Sequence, residues 1–231
     1  ETYWSEDPSF ERYDPARDCD RLDDALAEAA GKTTRQTQTL KLAGLEARPY
    51  RYQQAMLDEI WAEREVHDRH RNLVVAATGT GKTVLAALDF RHLSGNARDR
   101  PRLLFVAHRK EILEQARRTF REVLSDPGFG ELYVAGSRPE RWNHVFASVQ
   151  SLHRYGVTNI PSDHFDLVMI DEFHHAEAKT YRNVIDHLRP RELLGLTATP
   201  ERADGVSVAS FFDGRIATEL RLWDALSAEL L

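Results

Sequence analysis

An α/β domain with a mostly parallel sheet, helices on both faces and an acidic N-terminal arm is the fold class this sequence predicts. Three observations predict it. Short apolar runs alternate with stretches of helical spacing, as strand–helix–strand units require. One run leads through a loop of small residues into a helix that opens on Gly81-Lys82-Thr83. The polar clusters stand at the carboxyl ends of the runs, where an open parallel sheet places its ligand site.

Residues 1–19 are rich in Asp, Glu, Pro and aromatics without a period, and read as an extended arm. Leu22, Ala25, Leu26 and Ala29 have helical spacing, and Gly31 is a natural stop. Residues 31–44 are rich in Thr, Gln and Lys and read as a linker. We therefore assign 1–48 to the arm and linker, and 49–231 to the domain. Arg48-Pro49 marks the entry, because the residue before proline is pushed away from helix. Tyr52, Met56 and Ile60 then share one helix face, with Leu57 and Trp61 beside them. Residues 66–71 are polar and read as a loop.

Asn72-Leu73-Val74-Val75 predicts a buried strand, and Val84-Leu85-Ala86-Ala87-Leu88 the start of a helix. Ser94-Gly95-Asn96 breaks that helix. Leu103-Leu104-Phe105-Val106 is the next strand. The helix after it is amphipathic through Ile112, Leu113, Ala116, Phe120, Val123 and Leu124, and Pro127, Gly128 and Gly130 end it. Leu132-Tyr133-Val134 and Val145-Phe146-Ala147 are short strands. Residues 165–170 form another run, followed by a helix through Tyr181, Val184, Ile185 and Leu188 that stops near Pro190. Leu193-Leu194-Gly195-Leu196 is the last strand. Leu220, Leu222, Trp223, Leu226, Leu230 and Leu231 predict an apolar helical tail, and an ending on two leucines suggests a chain cut from something longer.

The 231 residues suffice for one large domain, and 42% hydrophobic content supports a core. No apolar run approaches a membrane span, and the N-terminus has no signal-peptide pattern, so no membrane partner is expected. A single cysteine, Cys19, excludes an internal disulfide and points to a reducing, cytoplasmic setting. The net charge of −6 is uneven. Residues 1–30 hold 10 acidic and 3 basic side chains, which leaves 27 acidic and 28 basic in the rest. The body is near neutral and can still carry a local basic path.

Ala76-Ala77-Thr78-Gly79-Thr80-Gly81-Lys82-Thr83 has the composition of a phosphate-binding loop. Small residues let successive backbone N–H groups converge on a phosphate, and the helix N-terminus adds its positive dipole end. Lys82 would reach the β- and γ-phosphates, and Thr83 would place its hydroxyl on Mg2+. The usual opening glycine is here Ala76, which still allows close backbone approach. Asp171-Glu172 ends an apolar strand. Asp171 would hold Mg2+ through water, and Glu172 would orient or deprotonate the attacking water. Two carboxylates beside a triphosphate imply that metal. His174-His175 do not make a zinc site, since adjacent histidines diverge and no further ligands complete a shell. His174 fits a hydrogen-bond relay from the nucleotide to Thr197 or Thr199.

Residues 76–83, Asp171-Glu172-Phe173-His174 and Thr197-Ala198-Thr199 resemble motifs I, II and III of superfamily 2 helicases. The resemblance covers residues 49–205 and is nearest to the type III restriction-like branch of the DEAD/DEAH-box helicases. It implies a RecA-like nucleoside triphosphatase fold, ATP and Mg2+ as cofactors, and nucleic acid, DNA in particular, as partner. Arg51-Tyr52-Gln53 resembles the element in which the glutamine, here Gln53, reads adenine. Val106-Ala107-His108-Arg109, with Gln115 downstream, resembles motif Ia, and residues 147–152 the next strand-contacting motif. His108, Arg109 and Gln150 are then implied nucleic-acid contacts. Ordinary solvated surface explains His108 and Arg109 equally well on chemistry alone, and the resemblance decides between the two. Residues 198–205, with the acidic Tyr-Trp arm, are similar to bacterial helicases that carry a phospholipase-D-like nuclease domain upstream. Phe173 departs from the usual small or aliphatic residue of motif II.

The family places motifs IV to VI and their arginine fingers on a second RecA-like domain. The expectation is that this chain is the first motor domain, binding Mg·ATP but turning it over poorly by itself. Two other readings start from the same loop: a non-helicase P-loop switch, and a docking module that kept the fold without catalysis. Residues 171–174 and 197–199 with Gln53 argue against the switch. Intact Lys82 and Glu172 argue against the docking module.

Overall fold

The computed structural model describes residues 48–95, 100–172, 178–199 and 208–220. All of them belong to one compact unit, Leu45–Leu231. The expected arm helix, Phe173, His174, residues 200–205 and the tail beyond Leu220 lie outside the described residues.

Helix α1 (Arg51–Glu65) leads into β1 (Arg71–Ala76), the loop 77–81 and α2 (Lys82–Ser94). Strand β2 (Leu103–Ala107) and helix α3 (Lys110–Val123) follow, then β3 (Glu131–Tyr133), β4 (His144–Ser148) and α4 (Val149–Tyr155). After β5 (Leu167–Asp171) come α5 (Ala178–His187), β6 (Glu192–Thr197), a short turn of helix at Val208–Phe211 and β7 (Thr218–Leu220). The seven strands form one sheet in the order β3-β4-β2-β5-β6-β1-β7. Every neighbouring pair is parallel. Parallel pairing puts all the carboxyl ends on one edge of the sheet, and that fixes where the polar clusters gather.

The pleat sends alternate residues to opposite faces. Val74, Phe105, Phe146, Met169 and Leu194 join Met56, Ile60, Leu85, Phe90, Leu113 and Phe120 of α1, α2 and α3. Leu73, Val75, Leu104, Val106, Val168, Ile170 and Leu193 join Leu152 of α4, Tyr181, Val184 and Ile185 of α5, and Phe212. Both faces are therefore covered, and strands such as Leu-Leu-Phe-Val-Ala are buried along their whole length. Each such Leu, Val or Phe contributes roughly 1.5–3 kcal/mol by leaving water. Gly195 in β6 makes room for Phe212, because a Cβ there would collide with the ring.

Three elements differ from the sequence expectation. Helix α4 was not anticipated. It starts where Ser148 Oγ accepts from Ser151 N at 3.1 Å, a side-chain cap whose signal was present in the sequence. Leu220, expected in a helical tail, lies in β7, which pairs Val74–Ala76 of β1 with Thr218–Leu220. Its three residues are too few to show strand periodicity. Val134 leaves β3 and makes an isolated antiparallel bridge with Ser137.

At the opposite edge of the sheet, a buried charge cluster locks α1 to α2 and β6. Arg64 donates to Asp89 with both terminal nitrogens, at 2.5 and 2.9 Å, and to Glu192 Oε2 with Nε at 2.8 Å. Trp61 Nε1 also donates to Asp89, at 3.1 Å, and His70 Nδ1 meets Glu192 Oε1 at 2.7 Å. Burial alone would lower the Arg64 pKa, but Asp89 and Glu192 outweigh it and hold it above its usual value. Removing one member of such a cluster leaves an unpaired buried charge. Arg64→Ala is expected to destabilise the chain by about 3–5 kcal/mol. Urea unfolding checks this, and a loss below about 1 kcal/mol would contradict it.

Candidate nucleotide-binding site

The loop after β1 is shaped by two glycines. Gly79 and Gly81 have φ of 90° and 78°, left-handed values that side chains resist. Gly81 is doubly constrained, since a Cβ there would stand 2.7 Å from Gln53 Nε2. Thr78 and Gly79 are exposed at the tip, whereas Thr80 is buried and its Oγ1 donates to Ala77 O at 2.8 Å. Lys82 and Thr83 form the first turn of α2, both half-buried. Lys82 Nζ donates to Ala76 O at 2.9 Å and to Ala77 O at 3.1 Å. The ammonium thus sits on the carbonyls of the loop that precedes it. Burial lowers its pKa, and Asp171 and Glu172 partly restore it.

Asp171 is the last residue of β5, two strands from β1, and is 5% exposed. Burial pushes its carboxyl up to about 6, against the opposing pull of the Glu172 N–H and the Lys82 charge. The Glu172 N–H donates to Asp171 Oδ1 at 2.9 Å. Glu172 itself has φ of 50°, unusual for a residue with a side chain. The phenol of Tyr181 on α5 is driven well above the tyrosine range by burial, then by Asp171 and Glu172. Sequence reading took Tyr181 only as an apolar helix position. A desolvated carboxylate and a desolvated ammonium at the same sheet edge fit a metal-bound phosphate, which would meet both with opposite charge. Among the described residues no three His, Cys, Asp or Glu converge on a cation. One carboxylate, one hydroxyl and phosphate oxygens are the set that Mg2+ takes in such sites.

Gln53 sits where α1 meets the phosphate loop, and is 3% exposed. Its Oε1 accepts from Tyr50 N at 3.1 Å and its Nε2 donates to Thr80 O at 3.2 Å. Tyr52 OH donates to the same carbonyl at 3.0 Å. The glutamine expected to read adenine therefore also braces the loop, and Tyr52 was missed in that role. Tyr50 is 69% exposed and stacks parallel to Tyr52 at 5.8 Å. Thr197, at the end of β6, is fully buried. Its Oγ1 donates to Thr199 O at 2.7 Å and accepts from Thr199 N at 3.2 Å, so the two threonines share one tight turn. Their expected link to His174 lies outside the described residues.

The carboxyl ends of β2 and β4 bring the implied nucleic-acid contacts together. His108, Lys110, Ser148, Gln150, Ser151 and Arg154 line one hollow of about 210 Å³. Gln150 is exposed in the first turn of α4, and Arg109 is exposed beside the hollow. Lys110 and Arg154 were not singled out in the sequence, although Lys110 directly follows Arg109. A larger hollow, about 990 Å³, lies elsewhere, around Arg102, Asp166 and Glu192 at the amino ends of the strands. It contains none of the motif residues.

The family described as "Type III restriction enzyme, res subunit" (ResIII) matches residues 46–202. The chain belongs to the ResIII family. The match begins just before α1 and takes in the phosphate loop, Asp171-Glu172 and Thr197–Thr199. The type I restriction enzyme EcoAI endonuclease subunit of Escherichia coli is 29% identical over 179 residues, which are 70% of this chain and 21% of that protein. The chain spans about a fifth of the length of the curated relatives it matches first.

Two solved structures share the fold. A nuclease-deletion mutant of the Type ISP restriction-modification enzyme LlaGI, in complex with a DNA substrate mimic, superposes with a TM-score of 0.61 at 17% identity. It covers 80% of this chain and 21% of that one. The UvsW helicase of bacteriophage T4 gives 0.57 at 18% identity, over 76% of this chain and 60% of its own. Both share the RecA-like fold with this ResIII chain.

Proposed function

We propose that this chain is the nucleotide-binding half of a DNA-dependent ATPase motor, a helicase or translocase serving DNA restriction or repair in the cytoplasm. The observation that carries the reading is the convergence of Lys82 and Asp171 at one sheet edge, both desolvated and each shifted toward neutrality. Lys82 would leave the Ala76 and Ala77 carbonyls to hold the β- and γ-phosphates, and Thr83 and Asp171 would hold Mg2+. Bound Mg2+ supplies charge that offsets the negative charge developing on the transferred phosphoryl group. Glu172 would take the proton of the attacking water. Gln53 retains one N–H and one lone pair beyond its two contacts, enough to pair with an adenine edge. Thr197 and Thr199 would pass the state of the site to the rest of the motor, with His174 as their hydrogen-bond relay from the nucleotide. Arg109 and Gln150, both exposed, would hold phosphates of one strand, positioning it rather than reading its sequence.

Arginine fingers on a second RecA-like domain complete such a site, and their absence lowers turnover by roughly 10³–10⁵. The test is Mg·ATP binding and turnover by this chain, with and without duplex DNA. Measurable binding with negligible turnover is expected in both arms, and DNA-stimulated turnover once the second domain is joined in one polypeptide. Rapid hydrolysis by this chain alone would overturn the two-domain reading, and a strong GTP preference would overturn the adenine assignment.

A further inference from the structure

The end of β2 places a side chain against the proposed hydrolytic base. His108 follows Ala107 directly, and β2 and β5 are paired neighbours. Its Nδ1 lies 3.4 Å from Glu172 Oε2. On the other side of the ring, Arg109 Nε donates to His108 Nε2 at 3.0 Å. A guanidinium has no acceptor and stays protonated, so Nε2 must present its lone pair. The proton of a neutral ring is then on Nδ1, the ring nitrogen that lies within ion-pair distance of the Glu172 carboxylate. Glu172 is held in a left-handed backbone conformation, which persists only where surroundings over-determine it. Arg109 is exposed, and His108 lines the hollow that also holds Lys110, Gln150 and Arg154.

We propose that Arg109, His108 and Glu172 form a coupling relay: Arg109 fixes the tautomer of His108, His108 restrains the Glu172 carboxylate, and a nucleic-acid phosphate that takes Arg109 releases the restraint. This rests on the motor reading, in which Glu172 is the base and Arg109 faces the strand. His108 is a positioning residue in it and touches neither substrate nor metal. The relay gives polymer binding a route of two side chains to the hydrolytic water. It links two sites through one run of side-chain contacts, and loss of Arg109 to a phosphate would supply the second arrangement that coupling requires.

Two measurements test it. In this chain with isotope-labelled histidine, the ring-nitrogen resonances of His108, assigned by their loss in His108→Asn, should report an Nδ1–H tautomer. An Nε2–H tautomer would overturn the relay whatever the enzyme does. In a polypeptide carrying both motor domains, ATP turnover is measured with and without duplex DNA. His108→Ala removes both links, so basal turnover should rise about tenfold, the scale of an ordinary coupling between sites, and stimulation by DNA should shrink accordingly. His108→Asn keeps a donor near Nδ1 and loses the acceptor for Arg109. It should keep a low basal rate and respond weakly to DNA. If His108→Ala keeps both the basal rate and the stimulation of the unmodified protein, the relay fails and the motor reading stands. An inactive His108→Ala would also overturn it, because a restraint cannot be required for turnover. Absence of DNA stimulation in the unmodified protein would remove the motor reading, and the relay with it.

Discussion

Lys82→Ala is expected to abolish nucleotide binding at concentrations where the unmodified chain saturates. The ammonium sits at the mouth of α2, already desolvated, 2.9 and 3.1 Å from two loop carbonyls that a phosphate would displace. Exchanging a carbonyl partner for a phosphate turns a neutral acceptor into an anion, and charge-assisted bonds are the stronger kind. Truncating a buried charge that pairs with an anion costs about 3–5 kcal/mol, so the dissociation constant should rise at least about 100-fold. The fold should survive, because alanine is the best helix former and Lys82 lies in the half-buried first turn of α2 rather than among the apolar layers. Titration calorimetry with Mg·ATP, beside a urea melt of the free variant, separates lost binding from lost folding. Binding within threefold of the original, on a folded variant, would show that phosphates are held elsewhere.

The second large effect falls on hydrolysis rather than binding. Glu172→Gln changes one oxygen to an amide nitrogen at constant shape, so nucleotide affinity should stay within a few-fold. The amide cannot accept a proton, and removing a positioned base lowers rates by roughly 10²–10⁴. The measurement is single-turnover hydrolysis in a polypeptide with both motor domains, alongside an equilibrium titration. Normal hydrolysis by that variant would move the base assignment away from Glu172. Loss of binding would instead tie Glu172 to the metal site that Asp171 is assigned here.

The two predictions draw on different kinds of information. Lys82 and its loop were legible because their chemistry is local. Two residues of positive φ, a lysine and a threonine at a strand–helix junction are adjacent in the chain, and the strand and helix declare themselves by apolar period. The long strands were legible for the same reason. A five-residue run buried on both faces, such as 103–107, is apolar throughout and needs no partner to be seen. The short edge strand β7 was not legible, because three residues carry no period and only pairing with β1 makes them a strand. Helix α4 was missed because its seven residues followed a strand without a break, although Ser148 signals the start.

Gln53 shows the boundary within the site itself. Its type and place ahead of the loop were readable, and the resemblance of Arg51-Tyr52-Gln53 to a family element implied an adenine reader. That it also bridges Tyr50 N and Thr80 O could only appear once α1 had packed against the loop. His108 and Glu172 are separated by sixty-odd residues of chain and meet because β2 and β5 are neighbours in the sheet. Arg64, Asp89 and Glu192 converge in the same way at the far edge, from two helices and a strand. The sequence by itself determined the fold class, the small-residue loop between β1 and α2, the acid pair at the end of β5 and the family, since each rests on neighbouring residues or on a repeating apolar period. Only the tertiary structure decided which strands lie side by side, and therefore which side chains touch, how far Asp171 and Lys82 are desolvated, and which side chain stands beside Glu172. Strand order depends on the summed packing of both sheet faces, and no single stretch of chain encodes that sum.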